Sequence, residues 1–224
     1  MAKKNKFETN AIHVGNKPDA STGSVSPPIN LTSTFAQDGI GKNKGFDYSR
    51  GTNPTRKRLE KNIASLEGGY DAIAFSSGMA ATTALFQSLK QSDHVIISRN
   101  VYGGTYRMTT QILSNHGLKF DFVDTTNTQN IKDAIKPETK WVFIETPTNP
   151  MLEITDIKAV SQICQDHNIK FAVDNTFMSP YGQRPLDYGA DCVMHSSTKF
   201  IGGHSDVLGG VLVAKDKELA DRLH

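Results

Sequence analysis

Seven short apolar runs punctuate the chain: AIAFSS, HVIIS, LKFDFVD, KWVFIE, IKFAVD, DCVMHSS and GGVLVA. Most are rich in Val, Ile and Phe, residues that suit a pleated and buried surface, and helix-length segments separate several of them. Strand alternating with helix predicts an α/β domain: a mostly parallel central sheet with helices on both faces. The segment between KWVFIE and IKFAVD shows the helical period well. Ile157, Val160, Ile163 and Cys164 form one apolar stripe, while Lys158, Gln165 and Asp166 face away. NPTRKRLEKNIASLEGG also reads as a helix, with Asn53 as cap, Pro54 in the first turn, Leu59, Ile63 and Leu66 on one face, and Gly68 and Gly69 as the stop. The first fifty residues, with SVSPPIN and GIGKNKG, hold no sustained period and read as an extended arm. The expected division is an arm over residues 1–50 and a single domain over 51–224.

Composition narrows the function classes. With 37% hydrophobic and 21% charged residues the chain is ordinary globular material. A formal net charge of +2, with no basic cluster longer than the opening MAKKNK, gives no support to a nucleic-acid surface. No run of eighteen apolar residues occurs, and none follows the basic start, so neither a membrane span nor a signal peptide is expected, and the cytoplasm is the expected compartment. The two cysteines, Cys164 and Cys192, lack the spacing of a metal or disulfide framework and are expected to pack as small apolar groups.

In a parallel sheet, ligands bind beyond the carboxyl ends of the strands, and there the chemistry gathers. AIAFSSGMAATTALFQSL passes from strand to helix through Ser76, Ser77, Gly78 and Met79, and the unpaired N–H groups of a helix start suit a phosphate, although SSG is also a common turn. IKFAVDNT ends in Asp174, either a turn carboxylate or a partner for a protonated ring nitrogen. KWVFIETPTNP ends in Glu145 and continues into a proline-stiffened loop that aims Asn149. Tyr102 precedes Gly103 and Gly104, either as a lid on the core or as a ring lying over a planar ligand. HSSTKFIGGHSDVLGG sets Lys199 among hydroxyls and glycines with no acid beside it. A lysine amine, a strand-end carboxylate, hydroxyls beside a helix start and an aromatic ring are together the parts that a pyridoxal phosphate site requires. Ser196 and Thr198 then face the phosphate, and Lys199 reaches the aldehyde.

Five motifs in order, SSGMAA, VYGGTYR, IETPTNP, VDNTFMSP and SSTKFIGGHSDVLGG, strongly resemble the Cys/Met metabolism family of pyridoxal-phosphate enzymes, over about Ser26 to the last residue. The resemblance implies the large domain of a fold type I pyridoxal-phosphate enzyme. It implies that Lys199 is the amine that joins the cofactor, that Asp174 pairs with the ring nitrogen, that Tyr102 stacks on the ring, and that Asn149 binds the ring hydroxyl. Gly78, Met79, Ser196 and Thr198 would hold the phosphate, Thr176 would complete the cofactor set, and Tyr48 and Arg50 in FDYSRGTNPT would reach the phosphate of the neighbouring subunit. Arg50, Tyr102 and Arg107 would meet the substrate, with Lys199, Tyr102 and Asp174 as the catalytic set.

Within that family, WVFIETPTNP and VDNTFMSPYGQRPLDYGAD are most similar to the eukaryotic γ-lyases. The implied reaction is γ-elimination of L-cystathionine to cysteine, 2-oxobutanoate and ammonia. The alternatives are γ-synthase chemistry, or methionine γ-elimination by enzymes that usually carry a cysteine where this chain has Gly104. A homodimer assembling to a homotetramer is implied. The family continues with a second domain that supplies an arginine for the substrate carboxylate, whereas this chain stops at ELADRLH. The domain is therefore expected to be incomplete at its C-terminal end, with a catalytically silent truncated paralogue as the competing reading.

Overall fold

The computed structural model describes residues 5–224, so the first four residues of the MAKKNK cluster lie outside the described residues. The chain forms two compact units, divided between Leu66 and Glu67.

In the first unit, α1 (Phe7–His13) is a helix where the sequence pattern shows only arm. It has no buried residue and no side-chain cap. Its support comes from a distance: Asn62 Nδ2 donates to the carbonyls of Asn10, Ala11 and Val14 at its end. The rest of the arm is irregular, with one bridge between Thr34 and Tyr48. The expected second helix is α2 (Pro54–Glu67). Asn53 Oδ1 accepts the Thr55 N–H at 2.8 Å as its cap, and Gly68 ends it in the left-handed region at φ 77°. Its buried stripe corrects the expectation. Ile63 and Leu66 of the expected face are buried, joined by Glu60, Ala64 and Glu67, whereas Leu59, one position and therefore 100° from Glu60, is 42% exposed.

All seven apolar runs are strands: β1 (Asp71–Phe75), β2 (His94–Ser98), β3 (Lys119–Val123), β4 (Thr139–Glu145), β5 (Lys170–Asp174), β6 (Cys192–His195) and β7 (Gly210–Ala214). They make one sheet in the order β1-β7-β6-β5-β4-β2-β3. β7 is antiparallel to both neighbours, and every other pairing is parallel. Successive residues of β2, β6 and β7 are all buried, so both faces of the sheet are covered. The helices of this unit are α3 (Gly78–Gln87), α4 (Gly103–Gln111), α5 (Thr128–Asp133), α6 (Ile157–Asp166), α7 (Ser179–Gly182) and α8 (Lys217–Leu223). The α6 stripe is the expected one, with Ser161 added to it.

The core centres on Phe86 of α3, which meets Phe143 of β4 edge-on at 5.3 Å and Phe120 of β3 at 5.9 Å. Burying one such ring stabilises the fold by roughly 1.5–3 kcal/mol. Cys164 and Cys192 are free and buried, and burial pushes the Cys164 thiol up to about 12, so both pack as apolar groups. Among the described residues no helix is long and apolar enough to cross a membrane. Because β1 through β6 run the same way, the residues that follow them converge on one edge of the sheet, where the reversed β7 begins.

Candidate active site

At that edge a cavity of about 200 Å3 is lined by residues from Ser77 to Leu208. Gly78, Met79, Tyr102, Asn149, Asp174, Thr176, Ser196, Thr198 and Lys199, which the sequence scatters over more than a hundred positions, all face it.

Asp174 is the last residue of β5 and is 7% exposed. Its Oδ1 accepts the Thr176 N–H at 3.0 Å and the Thr176 hydroxyl at 2.5 Å. Thr176 Oγ1 in turn accepts the Ser196 N–H at 2.9 Å. Thr176 thus spends its hydroxyl orienting Asp174 and tying β5 to the turn after β6. Burial holds the Asp174 carboxyl above its ordinary range, although the Thr176 hydrogen bonds and the charge of His195 oppose this. Among the described residues no hydrogen bond reaches Oδ2, so this carboxylate faces the cavity in need of a cation.

The corner suited to phosphate is built where α3 starts. Ser77 caps the helix by accepting the Ala80 N–H at 3.0 Å, which leaves the N–H groups of Gly78 and Met79 with no preceding turn to bond, and no acid lies in the first turn. Gly78 is required by close approach: a Cβ there would lie 2.7 Å from Ser196 Cβ. Ser196 Oγ makes no hydrogen bond among the described residues. Thr198 Oγ1 donates to Gly209 O at 3.2 Å and accepts the Gly209 N–H at 3.0 Å, so its hydroxyl must turn to face an anion. Lys199 follows in the same turn, exposed and with no carboxylate at ion-pair distance among the described residues.

Tyr102 stands at the start of α4, 46% exposed, its ring beside Gly104. A Cβ on residue 104 would lie 2.5 Å from Tyr102 Cε1 and 2.8 Å from Met79 Sδ. Gly104→Ala is therefore expected to displace the Tyr102 ring, weakening cofactor binding several-fold and changing its visible circular dichroism. A variant with the dichroism of the unsubstituted protein would show that the ring is placed by something else. Arg107, one turn along α4, is exposed and lies outside the cavity lining. Tyr48 and Arg50 belong to the first unit, where the Arg50 guanidinium lies 5.0 Å over the Tyr48 ring.

Two constellations carry no role in the sequence reading. The first is Glu145, 5% exposed at the end of β4. Its Oε2 accepts the Tyr102 N–H at 2.7 Å and its Oε1 the Asn149 N–H at 2.9 Å. Burial first, then the charge of Asp174, push its carboxyl up to about 8. The second lies under the floor. Asn175 and His195 follow Asp174 and Met194 by one residue and so take the opposite face of the sheet. His195 Nε2 is 2.5 Å from Glu67 Oε1, both side chains fully buried, and Asn175 Nδ2 donates to the same oxygen at 2.9 Å. The available signal for Glu67 was an acid on the buried stripe of an amphipathic helix.

The family model described as Cys/Met metabolism PLP-dependent enzyme matches residues 8–224. The chain belongs to that family. Its relatives include a probable cystathionine gamma-synthase of Herpetosiphon aurantiacus, 48% identical over 97% of this chain and 68% of that protein. The cystathionine beta-lyase MetC of Bacillus subtilis is 50% identical over 97% of this chain and 56% of its own. The crystal structure of a cystathionine gamma-lyase from Lactobacillus plantarum, complexed with L-serine, superposes with a TM-score of 0.95 at 46% identity, covering 98% of this chain and 57% of that one. The chain thus spans somewhat over half the length of most of these proteins.

The cofactor of this Cys/Met metabolism enzyme is pyridoxal 5'-phosphate, and the residues present fit it. Among the described residues the buried Asp174 has one carboxylate oxygen without a hydrogen bond, the start of α3 offers N–H groups beside a glycine that admits no Cβ, and Lys199 has no carboxylate at ion-pair distance.

Proposed function

We propose that the protein is a cystathionine γ-lyase, catalysing γ-elimination of L-cystathionine to cysteine, 2-oxobutanoate and ammonia in the cysteine-forming limb of transsulfuration. The observation that carries the reading is the meeting in one cavity of the buried Asp174 and the unpaired Lys199. Cystathionine as substrate is supported by relatives of three activities, all named for it at 46–50% identity. The γ-lyase reaction is favoured by the WVFIETPTNP and VDNTFMSPYGQRPLDYGAD loops. Gly104, which leaves room for the Tyr102 ring, sets the chain apart from methionine-cleaving enzymes that carry a cysteine there.

When bound, pyridoxal phosphate supplies an aldehyde for the substrate amine and an electron sink for the carbanion that follows. Asp174 would hold the ring nitrogen and supply the negative charge that keeps a proton there. Lys199 Nζ takes the Cα proton and carries it onward; a Cβ proton then leaves, and the Cγ–S electron pair departs with sulfur. The sulfur takes a proton to become cysteine, and water completes the release of 2-oxobutanoate and ammonia. Tyr102 receives the substrate's ammonium proton at the start, and Arg107, with Arg50 of a neighbouring subunit, holds the substrate. The full-length protein, assayed with L-cystathionine, methionine, cysteine and O-acylated homoserine, is expected to form cysteine and 2-oxobutanoate from the first. Homocysteine and pyruvate would mean β-elimination, and faster consumption of the acylated homoserine would mean γ-replacement; either overturns this reading.

The same reading places the enzyme in the cytoplasm as a homodimer pairing into a homotetramer, with Tyr48 and Arg50 serving the partner's phosphate. Co-expressing full-length Lys199→Ala with Arg50→Ala, each inactive alone, is expected to restore roughly one quarter of the activity, because half of the randomly mixed dimers hold one intact site. Mixed dimers without recovery would show that Arg50 serves its own subunit.

A further inference from the structure

The cavity holds a second buried carboxyl group that the proposed chemistry leaves unused. β4 and β5 are parallel neighbours in register at Glu145 and Asp174, so both side chains leave the sheet on one face, with strands about 4.8 Å apart. Asp174 Oδ1 is taken by Thr176, and both oxygens of Glu145 are taken by backbone N–H groups. These belong to Tyr102 and Asn149, the residues proposed to touch the cofactor ring and its hydroxyl. One side chain therefore joins the loop after β2 to the loop after β4 at the two points that matter. An ionised carboxylate satisfies both N–H donors best, since each oxygen then accepts a charge-assisted hydrogen bond. Two adjacent buried anions with no cation between them repel, so one proton stays on the pair. The other titratable groups nearby are Lys199 in the turn after β6 and His195, whose side chain lies behind Asp174 against Glu67.

We propose that Glu145 is a positioning residue: its carboxylate fixes Tyr102 and Asn149 against the cofactor, and arrival of the cationic ring beside Asp174 drives a proton off Glu145 and tightens both bonds. The inference rests on the proposed roles of Tyr102 and Asn149. The upward displacement of the Glu145 carboxyl by burial and by Asp174 agrees with the geometry. Binding and alignment are thereby linked, so that the ring is gripped only when the pyridinium is in place.

The test uses the cofactor-free full-length protein and pyridoxine 5'-phosphate, which has no aldehyde and so leaves Lys199 out of the proton count. Calorimetry at pH 7 in two buffers of different ionisation enthalpy counts the protons exchanged. The unsubstituted protein is expected to release more than Glu145→Gln, by up to about one proton. With pyridoxal phosphate, Glu145→Gln is expected to lose most of the visible dichroism and several-fold in affinity while its melting temperature stays close to that of the parent. Equal proton counts, or unchanged dichroism, overturn the proposal. Should the glutamine variant fail to fold, Glu145→Asp keeps the charge but not the reach: it is expected to retain the proton release and lose the dichroism, and keeping both or losing both counts against the proposal. Tyr102→Ala and Asn149→Ala separate the layers. If neither changes the dichroism, the assignment of the ring contacts falls and this inference with it; if both do and Glu145→Gln does not, the Glu145 inference alone falls.

Discussion

Lys199→Ala is expected to bind pyridoxal phosphate and to turn over almost nothing. On the proposed reading the grip on the cofactor would be built elsewhere, from the start of α3, the Ser196 hydroxyl and Asp174, all of which line the cavity, so removing the amine would leave those contacts in place. What would go is both the proposed nucleophile and the proposed proton carrier, and a positioned base alone accounts for about 10²–10⁴-fold. A fall of about 10³-fold or more in kcat is expected, beside near-parental affinity for the cofactor. In the unsubstituted protein, borohydride is expected to bleach the visible band and fix the cofactor's mass on Lys199; mass found on another lysine would end the assignment.

The second large effect is expected at Asp174, and its sign differs between the cofactor-free and loaded proteins. Burial raises this carboxyl in the folded chain, so the fold retains a proton that the unfolded chain has already lost. The cofactor-free protein therefore loses stability from this group as pH rises out of the ordinary carboxylate range. Asp174→Asn removes that loss and should leave the cofactor-free protein at least as stable at neutral pH. On the proposed reading the loaded enzyme would instead lose the charge paired with the ring nitrogen, and about 3 kcal/mol of pairing corresponds to a fall of about 10²-fold in elimination rate.

The natural control is Asp191→Asn, a partly buried carboxylate outside the cavity. Its Oδ1 pairs with Lys170 Nζ at 3.0 Å and its Oδ2 accepts the Phe171 N–H at 2.9 Å, tying the starts of β5 and β6 at the edge away from the cavity. Its asparagine variant should melt lower, by about 1–2 kcal/mol of stability, with the chemistry intact. Matching rate losses in the two variants, with matching melts, would remove the electronic role of Asp174.

The strands were legible because a strand covered on both faces must be apolar at successive positions, which writes VIIS or VFIE into the chain without ambiguity. Helix α6 was legible for the complementary reason that its polar face is solvated. Helix α1 was not, since nothing in FETNAIH repeats and its end is held by Asn62, some fifty residues away. Lys199, the proposed catalytic lysine, and the strand-end Asp174 stood out because both residue types were unusual in their surroundings. Glu145 did not, because its partners are backbone N–H groups, one of them 43 positions back, and backbone donors leave no trace in residue identity. The Glu67–His195 contact spans 128 positions and is equally silent. Thr198 reads as a phosphate hydroxyl and Thr176 as part of the cofactor set, yet their first engagements are with Gly209 and Asp174.

The placement of β7 has a consequence for how such a site comes into being on the ribosome. β1 emerges first of the seven strands, yet it sits at the sheet's edge with β7, the last of the seven to be synthesised, as its neighbour. Until Gly210–Ala214 has left the exit tunnel, the turn at Ser77–Met79 has no ladder joining it to the turn that bears Lys199. Closing that loop of well over a hundred residues is a slow, long-range event compared with the local β2-β3 pairing. The nascent polypeptide can therefore assemble the middle of its sheet early, but these two walls of the cavity come together only when translation of this region is nearly over.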